Sequence, residues 1–272
     1  MMLSLRNTFR RKARLALTMV TLTLGGAVFI AVFSVRDSLA NTLELANQYD
    51  NFDVTVAFDR PYRSEQIREE ALQVPGVTAV EAWGSGGAVR ERPDGSQSDR
   101  IRLRAPQADS SMIQPNILEG RWLMPDDENA VAVNSNLLDE EPDLRVGQVL
   151  TLKEGEKTRD WTIVGVVHSV LGAPTIYLNY GYYAGLTGTT GRADDVRLSI
   201  QPDDPLSQKQ VAKALEAHFE AAGYQVAGTG TKAEDVESIE LRFSILVTFL
   251  LVMALLIAAV GGMGLMLSLI HI

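Results

Sequence analysis

Two uncharged stretches decide the fold of this chain: LALTMVTLTLGGAVFIAVFSV at Leu15–Val35 and FSILVTFLLVMALLIAAVGGMGLMLSLI at Phe243–Ile270. A helix needs about 20 consecutive apolar residues to cross the hydrocarbon core of a bilayer, and each stretch is long enough. Residues 36–242, which lie between them, hold every acidic residue of the chain. The sequence therefore predicts two membrane helices that flank one large water-soluble domain.

The charge of the chain is unevenly distributed. Its net charge is −9, yet the first fourteen residues contain five basic residues and no acidic one. Basic residues before a first membrane helix keep that end in the cytoplasm, so residues 1–14 are predicted to form a cytoplasmic arm and residues 36–242 to lie outside the cytoplasm. The alternative is a cleaved signal peptide, but its apolar region is about 7–15 residues long, and Leu15–Val35 is longer. The acidic remainder gives no indication of nucleic-acid binding.

Both spans are expected to continue as stalk helices, at residues 36–49 and 231–242, because apolar residues recur there every three or four positions. The first stripe contains Val35, Leu39, Leu43 and Ala46, and the second contains Ala233, Val236, Ile239 and Phe243. Stripes of this kind allow the two stalks to pack together, so that movement of one membrane helix reaches the external domain. The alternative is that the stalks only tether that domain.

The insert alternates between strand and helix patterns. Its first block, up to about residue 108, follows the order β-α-β-β, and its last block, from about residue 192, follows β-α-β. The block between them contains mainly short strands, with a pair at Gln148–Lys153 and Trp161–His168. Joined together, the outer blocks predict a split βαβ, ferredoxin-like layer with the middle block inserted, and with adjacent chain ends as two neighbouring stalks require.

Signatures of catalysis are missing from the sequence. It contains no cysteine, no G-x-x-x-x-G-K-[ST] loop for ATP, no G-x-S-x-G elbow and no H-E-x-x-H helix. The three histidines, His168, His218 and His271, are far apart in the sequence, which favours packing or surface roles. No catalytic, cofactor or metal site is predicted. The two uncharged spans also argue against an ion channel, because ion pathways normally need ionisable groups.

A set of ordered motifs resembles a known family. The motif L-R-N-x-x-R-R-K-x-R precedes the first span at Leu5–Arg14. Further motifs follow in order: L-x-G-R at Leu118–Arg121, V-x-V-N at Val131–Asn134, V-G-x-x-L-T-L at Val146–Leu152, W-T-I-V-G-V-V at Trp161–Val167 and I-Y-L at Ile176–Leu178. No one of them is specific, but their order across nearly the whole chain resembles the N-terminal part of ABC transporter permeases of the MacB/FtsX/LolC-E type.

The resemblance implies an α+β membrane protein, in which transmembrane helices at 15–35 and 243–270 flank an extracytoplasmic MacB-like core domain at 50–230. That domain would consist of a porter-like part at 50–108 and 192–230 and an inserted β-rich part at 109–191. Structural roles are implied for the motif residues Gly120, Arg121, Gly147, Trp161 and Gly165. A coupling role is implied for the stalk residues Leu39, Leu43, Val236 and Ile239.

The resemblance also implies partners and a location. The chain would be a multi-pass protein of the bacterial cytoplasmic membrane that works with a separate cytoplasmic ATPase, a second permease copy or homologue, the lipid bilayer and an extracytoplasmic adaptor. ATP hydrolysis in the separate subunit would move the stalks and reshape the external domain, a process called mechanotransmission. Lipoproteins, peptides, small toxins and the control of cell-wall hydrolases are all consistent with the family.

Family members continue past the second span into a cytoplasmic coupling helix, often of the form E-R-x-x-E-I-G, and two more spans. We therefore expect this chain to be a truncated fragment, with Ser268–Ile272 outside the family sequence. Two other classes of protein share the two-span pattern: a receptor with an external ligand-binding domain, and an anchored binding or scaffolding protein. A signalling helix after the second span would identify the receptor.

Overall fold

The structure is a computed structural model that describes residues 12–169 and 172–270. Residues 1–11 of the predicted basic arm and His271 therefore lie outside the described part. The chain divides into two compact units. We call residues 12–41 with 237–270 the helical unit, and residues 42–236 the core unit.

The helices and strands alternate along the chain. In chain order they are α1 (Lys12–Tyr49), β1 (Val54–Arg63), α2 (Ser64–Ala71), β2 (Val77–Arg90), β3 (Ile101–Ala105), β4 (Ile117–Gly120), β5 (Ala130–Asn134), α3 (Ser135–Glu140), β6 (Val149–Glu154), β7 (Lys157–Val167), β8 (Thr175–Leu178), α4 (Tyr180–Thr187), β9 (Arg192–Ile200), α5 (Pro205–Ala221), β10 (Val226–Thr231) and α6 (Lys232–Ile270).

The helical unit is a pair of helices in contact. A Cβ atom built on Gly25 of α1 would lie 3.7 Å from the Cγ2 atom of Ile257 on α6, which is ordinary van der Waals contact. The partly or fully buried positions of α6 recur every three or four residues, which is the spacing of a helix–helix seam. Among the positions with described burial, this row contains Ile239, Phe243, Val247, Leu250, Ala254, Ile257 and Gly261, and the adjacent Leu251 and Gly262 are also half-buried.

The described residues support one of the two predicted spans more strongly than the other. Lys232–Met263 is long and apolar enough to cross a membrane, and only 6% of its most apolar window is buried. Thr23–Val35 is a shorter apolar segment of α1. The structure therefore shows one apolar C-terminal helix of membrane-spanning length, and the first span stays a prediction.

Four strands of the core unit form a sheet in the order that the sequence pattern predicts. Strands β10, β1, β9 and β2 lie side by side in that order, and each pairs antiparallel with its neighbour. Helices α2 and α5 both pack on one face of this sheet, through Ile67 of α2 and through Leu215 and Phe219 of α5. This is the order of a split βαβ layer, in which the first and last strands are neighbours. We call it the split layer.

The other strands close on themselves. β2 pairs with β3, β3 with β8, β8 with β5, β5 with β7, β7 with β6, and β6 again with β2. Closure of this kind removes exposed strand edges, and alternate side chains of every strand point inward. The buried interior includes Ala88, Ile101, Leu103, Val131, Val133, Leu150, Leu152, Trp161, Ile163, Ile176 and Leu178. We call this ring the barrel; β4 pairs with β7 outside the ring.

Strand β2 belongs to both the split layer and the barrel. Its residues 77–83 pair with β9, whereas residues 84–88 pair with β3 and residues 89–90 with β6. The expected boundary at residues 108/109 therefore differs from the structure, which places the end of β2 and all of β3 in the barrel. Gly84 and Gly86 lie where the strand changes sheets, and a Cβ atom on Gly84 would come within 2.7 Å of the Tyr183 ring. Because glycine has no side chain, helix α4 packs directly against the strand at this point.

Strands β4 and β7 approach each other unusually closely. Gly120 is opposite Gly165 in the pairing, and Gly120 has a φ of +74°. A Cβ atom on Gly165 would overlap the carbonyl oxygen of Arg121, and one on Gly120 would overlap that of Val164. Glycine is therefore required at both positions, because the obstructing atoms belong to the backbone and cannot rotate away.

We expect Gly165→Ala to destabilise the core unit by about 2 kcal/mol, because an added methyl group in a packed site forces the backbone to shift. The matched control is Gly185→Ala in α4, where a Cβ atom meets nothing within 4 Å. Alanine also favours a helix over glycine, so this control should be neutral or slightly stabilising. Urea unfolding of the chain in detergent, followed by tryptophan fluorescence, measures both. Equal unfolding midpoints for the two variants would contradict the steric argument.

Candidate functional site

The end of α1 is fastened to the connection between β3 and β4. The backbone N–H of Asn51 donates to the carbonyl oxygen of Met112 at 3.0 Å, and that of Gln114 donates to the carbonyl oxygen of Tyr49 at 2.9 Å. Asp50 and Ile113 form an isolated antiparallel bridge between these two bonds. The residues that follow α1 therefore form a short piece of sheet with residues 112–114.

The start of α6 lies at the same place. The backbone N–H of Lys232 donates to the carbonyl oxygen of Asp53 at 2.9 Å, and its Nζ donates to the carbonyl oxygen of Asp50 at 2.8 Å. Thr231, at the end of β10, is paired with Val54 at the start of β1. The two long helices therefore leave the core unit from neighbouring positions, which we call the junction.

A barrel arginine reaches the junction. Arg104 of β3 forms a two-pronged ion pair with Asp50: Nη2 lies 3.1 Å from Oδ1, and Nη1 lies 3.3 Å from Oδ2. Its guanidinium group lies 4.9 Å from the ring centroid of Trp83 and 5.9 Å from those of Phe52 and Tyr177. A planar cation held by a matching carboxylate and by ring faces has a well-defined orientation.

A second arginine contacts two of the same rings. Arg197 of β9 pairs with Asp195 of the same strand through two hydrogen bonds, of which Nη2–Oδ2 measures 3.0 Å. Its guanidinium group lies 5.1 Å from the centroid of Phe52 and 5.4 Å from that of Trp83. Arg104 comes from the barrel and Arg197 from the split layer, so the rings of Phe52 and Trp83 contact a cation from each.

Burial affects the ionisation of these groups strongly. Desolvation alone would lower the pKa of Arg104, but the charge of Asp50 and the neighbouring tyrosines outweigh it, and the pKa lies above its usual range. Burial raises the pKa of Asp195 against the opposing charge of Arg197, and burial lowers the pKa of Arg197. Arginine stays protonated in proteins. Each buried cation therefore depends on its aspartate for compensation.

The junction consists of ion pairs, aromatic rings and backbone hydrogen bonds that join segments far apart in the chain. Across residues 12–169 and 172–270, no group of three or more His, Cys, Asp or Glu side chains could hold a metal ion. His218 contacts Glu70 at 2.9 Å on the helical side of the split layer. What the arrangement can do is hold α1, α6, the barrel and the split layer at one point.

The motif residues lie elsewhere, around strand β7. Trp161 is buried in the barrel and makes an edge contact with Tyr182, with ring centroids 5.9 Å apart. The guanidinium group of Arg121 binds both carboxylate oxygens of Asp127 at 2.7 Å, which holds the pKa of that carboxyl below its usual range. Gly147 donates its N–H to the carbonyl oxygen of Ile163 at 2.7 Å. Together with the crossing of Gly120 and Gly165, these contacts support the wall of the barrel.

The four proposed stalk residues lie on the two long helices. Val236 and Ile239 are half-buried positions of α6. Leu39 and Leu43 belong to the α1 backbone, but their side chains fall outside the described part of the structure.

Sequence reasoning missed Arg104 and Arg197. In each strand the arginine alternates with buried apolar residues, and that pattern by itself indicates a side chain that faces water. The aromatic residues Phe52 and Trp83 were the only hint in the sequence that a buried cation could lie nearby. Without knowledge of which strands face each other, that signal does not identify a partner.

The sequence also gave no indication of a buried charge network at the far end of β2. Arg90 and Glu141 are 5% and 4% exposed, and Arg90 Nη1 lies 2.5 Å from Glu141 Oε2. Arg90 also binds both oxygens of Asp143, and Arg92 binds both oxygens of Glu141. The network ties β2 to the loop after α3, so it stabilises the barrel.

The family can now be assigned. The family model described as the MacB-like periplasmic core domain matches residues 15–218. This chain belongs to that family, and it is therefore a member of the ABC transporter permeases of the MacB/FtsX type, whose transporters work with a cytoplasmic ATPase. Its core unit is accordingly an extracytoplasmic segment of a membrane protein.

Solved structures show similar chains at low identity. The extracellular domain of the noncanonic ABC-type transporter YknZ from Gram-positive bacteria is 15% identical, with a TM-score of 0.45, over 65% of this chain and 99% of that one. The periplasmic region of MacB from Actinobacillus actinomycetemcomitans is 13% identical, with a TM-score of 0.48, over 74% and 98%. A domain of a putative permease from Porphyromonas gingivalis is 13% identical, with a TM-score of 0.40, over 65% and 90%. No curated protein sequence matches the chain.

The pair between Arg90 and Asp143, whose carboxylate is mostly exposed, predicts a specific acid sensitivity. Hydrogen bonds from Arg90 lower the pKa of Asp143 from 3.8 to about 2. A carboxylate whose pKa is lower in the folded state stabilises that state above its unfolded pKa, and the contribution is lost as the pH falls through the folded value. We therefore expect the free energy of unfolding to fall more steeply between about pH 4 and pH 2 in the wild type than in Asp143→Asn.

Urea unfolding at a series of pH values tests this expectation. Asp139→Asn, at an exposed carboxylate of α3, is the matched control and should keep the wild-type slope. Identical pH slopes for the wild type and Asp143→Asn would show that the pair with Arg90 does not stabilise the fold.

Proposed function

We propose that this chain is the permease subunit of an ABC transporter that couples cytoplasmic ATP hydrolysis to movement of its extracytoplasmic core, for export or extraction of a substrate. One observation carries the proposal: α1 and α6 are continuous helices of 38 and 39 residues, and the end of the first and the start of the second meet at the junction. A rigid helix transmits displacement along its axis, so movement at the membrane end would arrive at one point of the core.

The composition of the apolar segments supports coupling rather than conduction. Leu15–Val35 and Phe243–Ile270 contain no ionisable residue, and ion or proton pathways through a membrane normally need one. The seam between α1 and α6 contains small residues such as Gly25, Ala254 and Gly261. Small residues let two helices approach closely in lipid, so the pair would move as one body.

The membrane topology follows from the same proposal. Both helices span the cytoplasmic membrane, the N-terminus is cytoplasmic, and the core domain is outside. The partners are a cytoplasmic ATPase, a second permease copy or homologue, and an extracytoplasmic adaptor. ATP hydrolysis takes place in the ATPase subunit.

Cysteine accessibility tests this topology directly, because the chain has no native cysteine. We expect Glu156→Cys, at the exposed β6–β7 turn, to react with a membrane-impermeant maleimide in intact spheroplasts. Ser4→Cys should react only after the membrane is permeabilised. A Ser4→Cys variant that is labelled in intact spheroplasts would exclude the proposed orientation, and the two positions act as controls for each other.

Coupling is tested in the full-length permease assembled with its ATPase in nanodiscs. We expect Ile239→Asp, Leu39→Asp and Leu43→Asp to abolish the ATP-dependent change in distance between spin labels at Glu156 of the barrel and Ala217 of α5. At Ile239, which is half-buried, a carboxylate costs several kcal/mol if it stays buried, so the helices separate instead. Leu39 and Leu43 belong to the apolar stripe predicted from the sequence, and the same result is expected there. ATP hydrolysis should continue in each variant.

Glu240→Gln, at the exposed neighbour of Ile239, is the matched control and should behave as the wild type. An unchanged distance response in all three aspartate variants would rule out transmission through the stalks. It would favour a tethered binding domain, in which the stalk stripe tolerates substitution.

A further inference from the structure

The ion pair between Arg104 and Asp50 differs from the other buried ion pairs of the core unit. The Arg90 network joins β2 to the loop after α3, and Arg197 pairs with Asp195 on its own strand. Arg104, in contrast, belongs to a barrel strand, and Asp50 directly follows α1. Only in the last case does the pair connect the barrel to the end of a stalk helix.

We propose that Arg104 is the positioning residue that fixes the end of α1 to the barrel, so that displacement of α1 reaches strand β3 through the Arg104–Asp50 pair. This inference rests on the coupling function proposed above. Strand β3 is held on both sides, by β2 and by β8. A force applied to its arginine is therefore distributed through two ladders of the barrel.

The surroundings make this contact stiff. The side chains of Arg104 and Asp50 are 14% and 32% exposed, and the guanidinium group is enclosed by Phe52, Trp83 and Tyr177. Ion pairs that are partly removed from water are screened less by salt than surface pairs. Removal of one partner also leaves the other as an uncompensated charge, so neither side chain leaves the contact easily.

The ring of Tyr177 extends the contact to a second barrel strand. Tyr177 belongs to β8, and its ring centroid lies 6.1 Å from that of Tyr49, the last residue of α1. Burial raises the pKa of both phenols, so both are neutral rings at the junction. The end of α1 therefore contacts β3 through the ion pair between Asp50 and Arg104, and it contacts β8 through the rings of Tyr49 and Tyr177. Of these two contacts, the two-pronged ion pair has the more defined geometry.

The neighbouring residue Arg102 provides a matched control. It is two residues before Arg104 on β3, so both side chains point to the same face of the strand. Arg102 is exposed, whereas Arg104 is in the ring enclosure. A substitution of Arg102 removes the same charge from the same strand without touching the pair with Asp50.

The first measurement is amide hydrogen exchange of the complete chain in nanodiscs. We expect Arg104→Met to increase exchange at Asn51 and Gln114 by about tenfold, because charge-assisted hydrogen bonds no longer hold the segment that these amides fasten. Exchange at Ile163, inside the barrel, should not change. Arg104→Lys keeps the charge but not the fork geometry, so it should restore part of the protection. Arg102→Met should match the wild type.

Two results of this measurement would overturn the proposal. One is unchanged exchange at Asn51 and Gln114 in Arg104→Met. The other is an equal increase at Ile163, which would make Arg104 part of barrel stability only.

The second measurement is the ATP-dependent spin-label distance between Glu156 and Ala217 in the full-length transporter. We expect Arg104→Met to lose this response, Arg104→Lys to keep part of it and Arg102→Met to keep all of it. If the stalk variant Ile239→Asp loses the response and Arg104→Met keeps it, the positioning role is wrong and the coupling function stands. If Ile239→Asp also keeps the response, the coupling function itself is wrong.

Discussion

The pairing of β1 with β10 is the constraint on which the rest of the structure depends. Within the core unit, the end of α1 and the start of α6 lie next to each other, so the strands that adjoin them, β1 and β10, must be neighbours. The split βαβ order meets this requirement, because its last strand, β10, is at one edge of the sheet and pairs with the first strand, β1. The segment between β2 and β9 in the sequence then has to fold outside this layer, and it forms most of the barrel.

Buried ion pairs have different roles at the far end of the barrel and at the junction. At the far end of the barrel, Arg90 binds Glu141 and Asp143, and Glu141 also binds Arg92, so that each buried charge of this network has two partners of opposite charge. At the junction, Arg104 and Arg197 come from different layers and contact the same rings of Phe52 and Trp83. The first arrangement stabilises one unit, whereas the second orients several elements around the point where the helices enter.

Much of the local structure could be predicted because it depends on short-range patterns. The predicted order β-α-β-β up to about residue 108 is present as β1, α2, β2 and β3, and the predicted order β-α-β from about residue 192 is present as β9, α5 and β10. The pair at Gln148–Lys153 and Trp161–His168 is confirmed as β6 and β7, although β7 begins at Lys157 and the turn is correspondingly shorter. Charged residues in that turn concealed the start of the strand, because cross-strand pairing overrides local propensity.

The sequence by itself determined the apolar segments, the period of most elements and the β-α-β-β and β-α-β order of the outer blocks along the chain, since these depend on composition or on residues close in the chain. The order of motifs along the chain also indicated the family. Only the tertiary structure decided that β2 passes from one sheet to the other, that the barrel closes through β6, and that Arg104 meets Asp50. Those features join residues more than fifty positions apart, as with the 54 that separate Arg104 from Asp50. An alternating strand pattern shows that a face is polar, but not which other element will cover it.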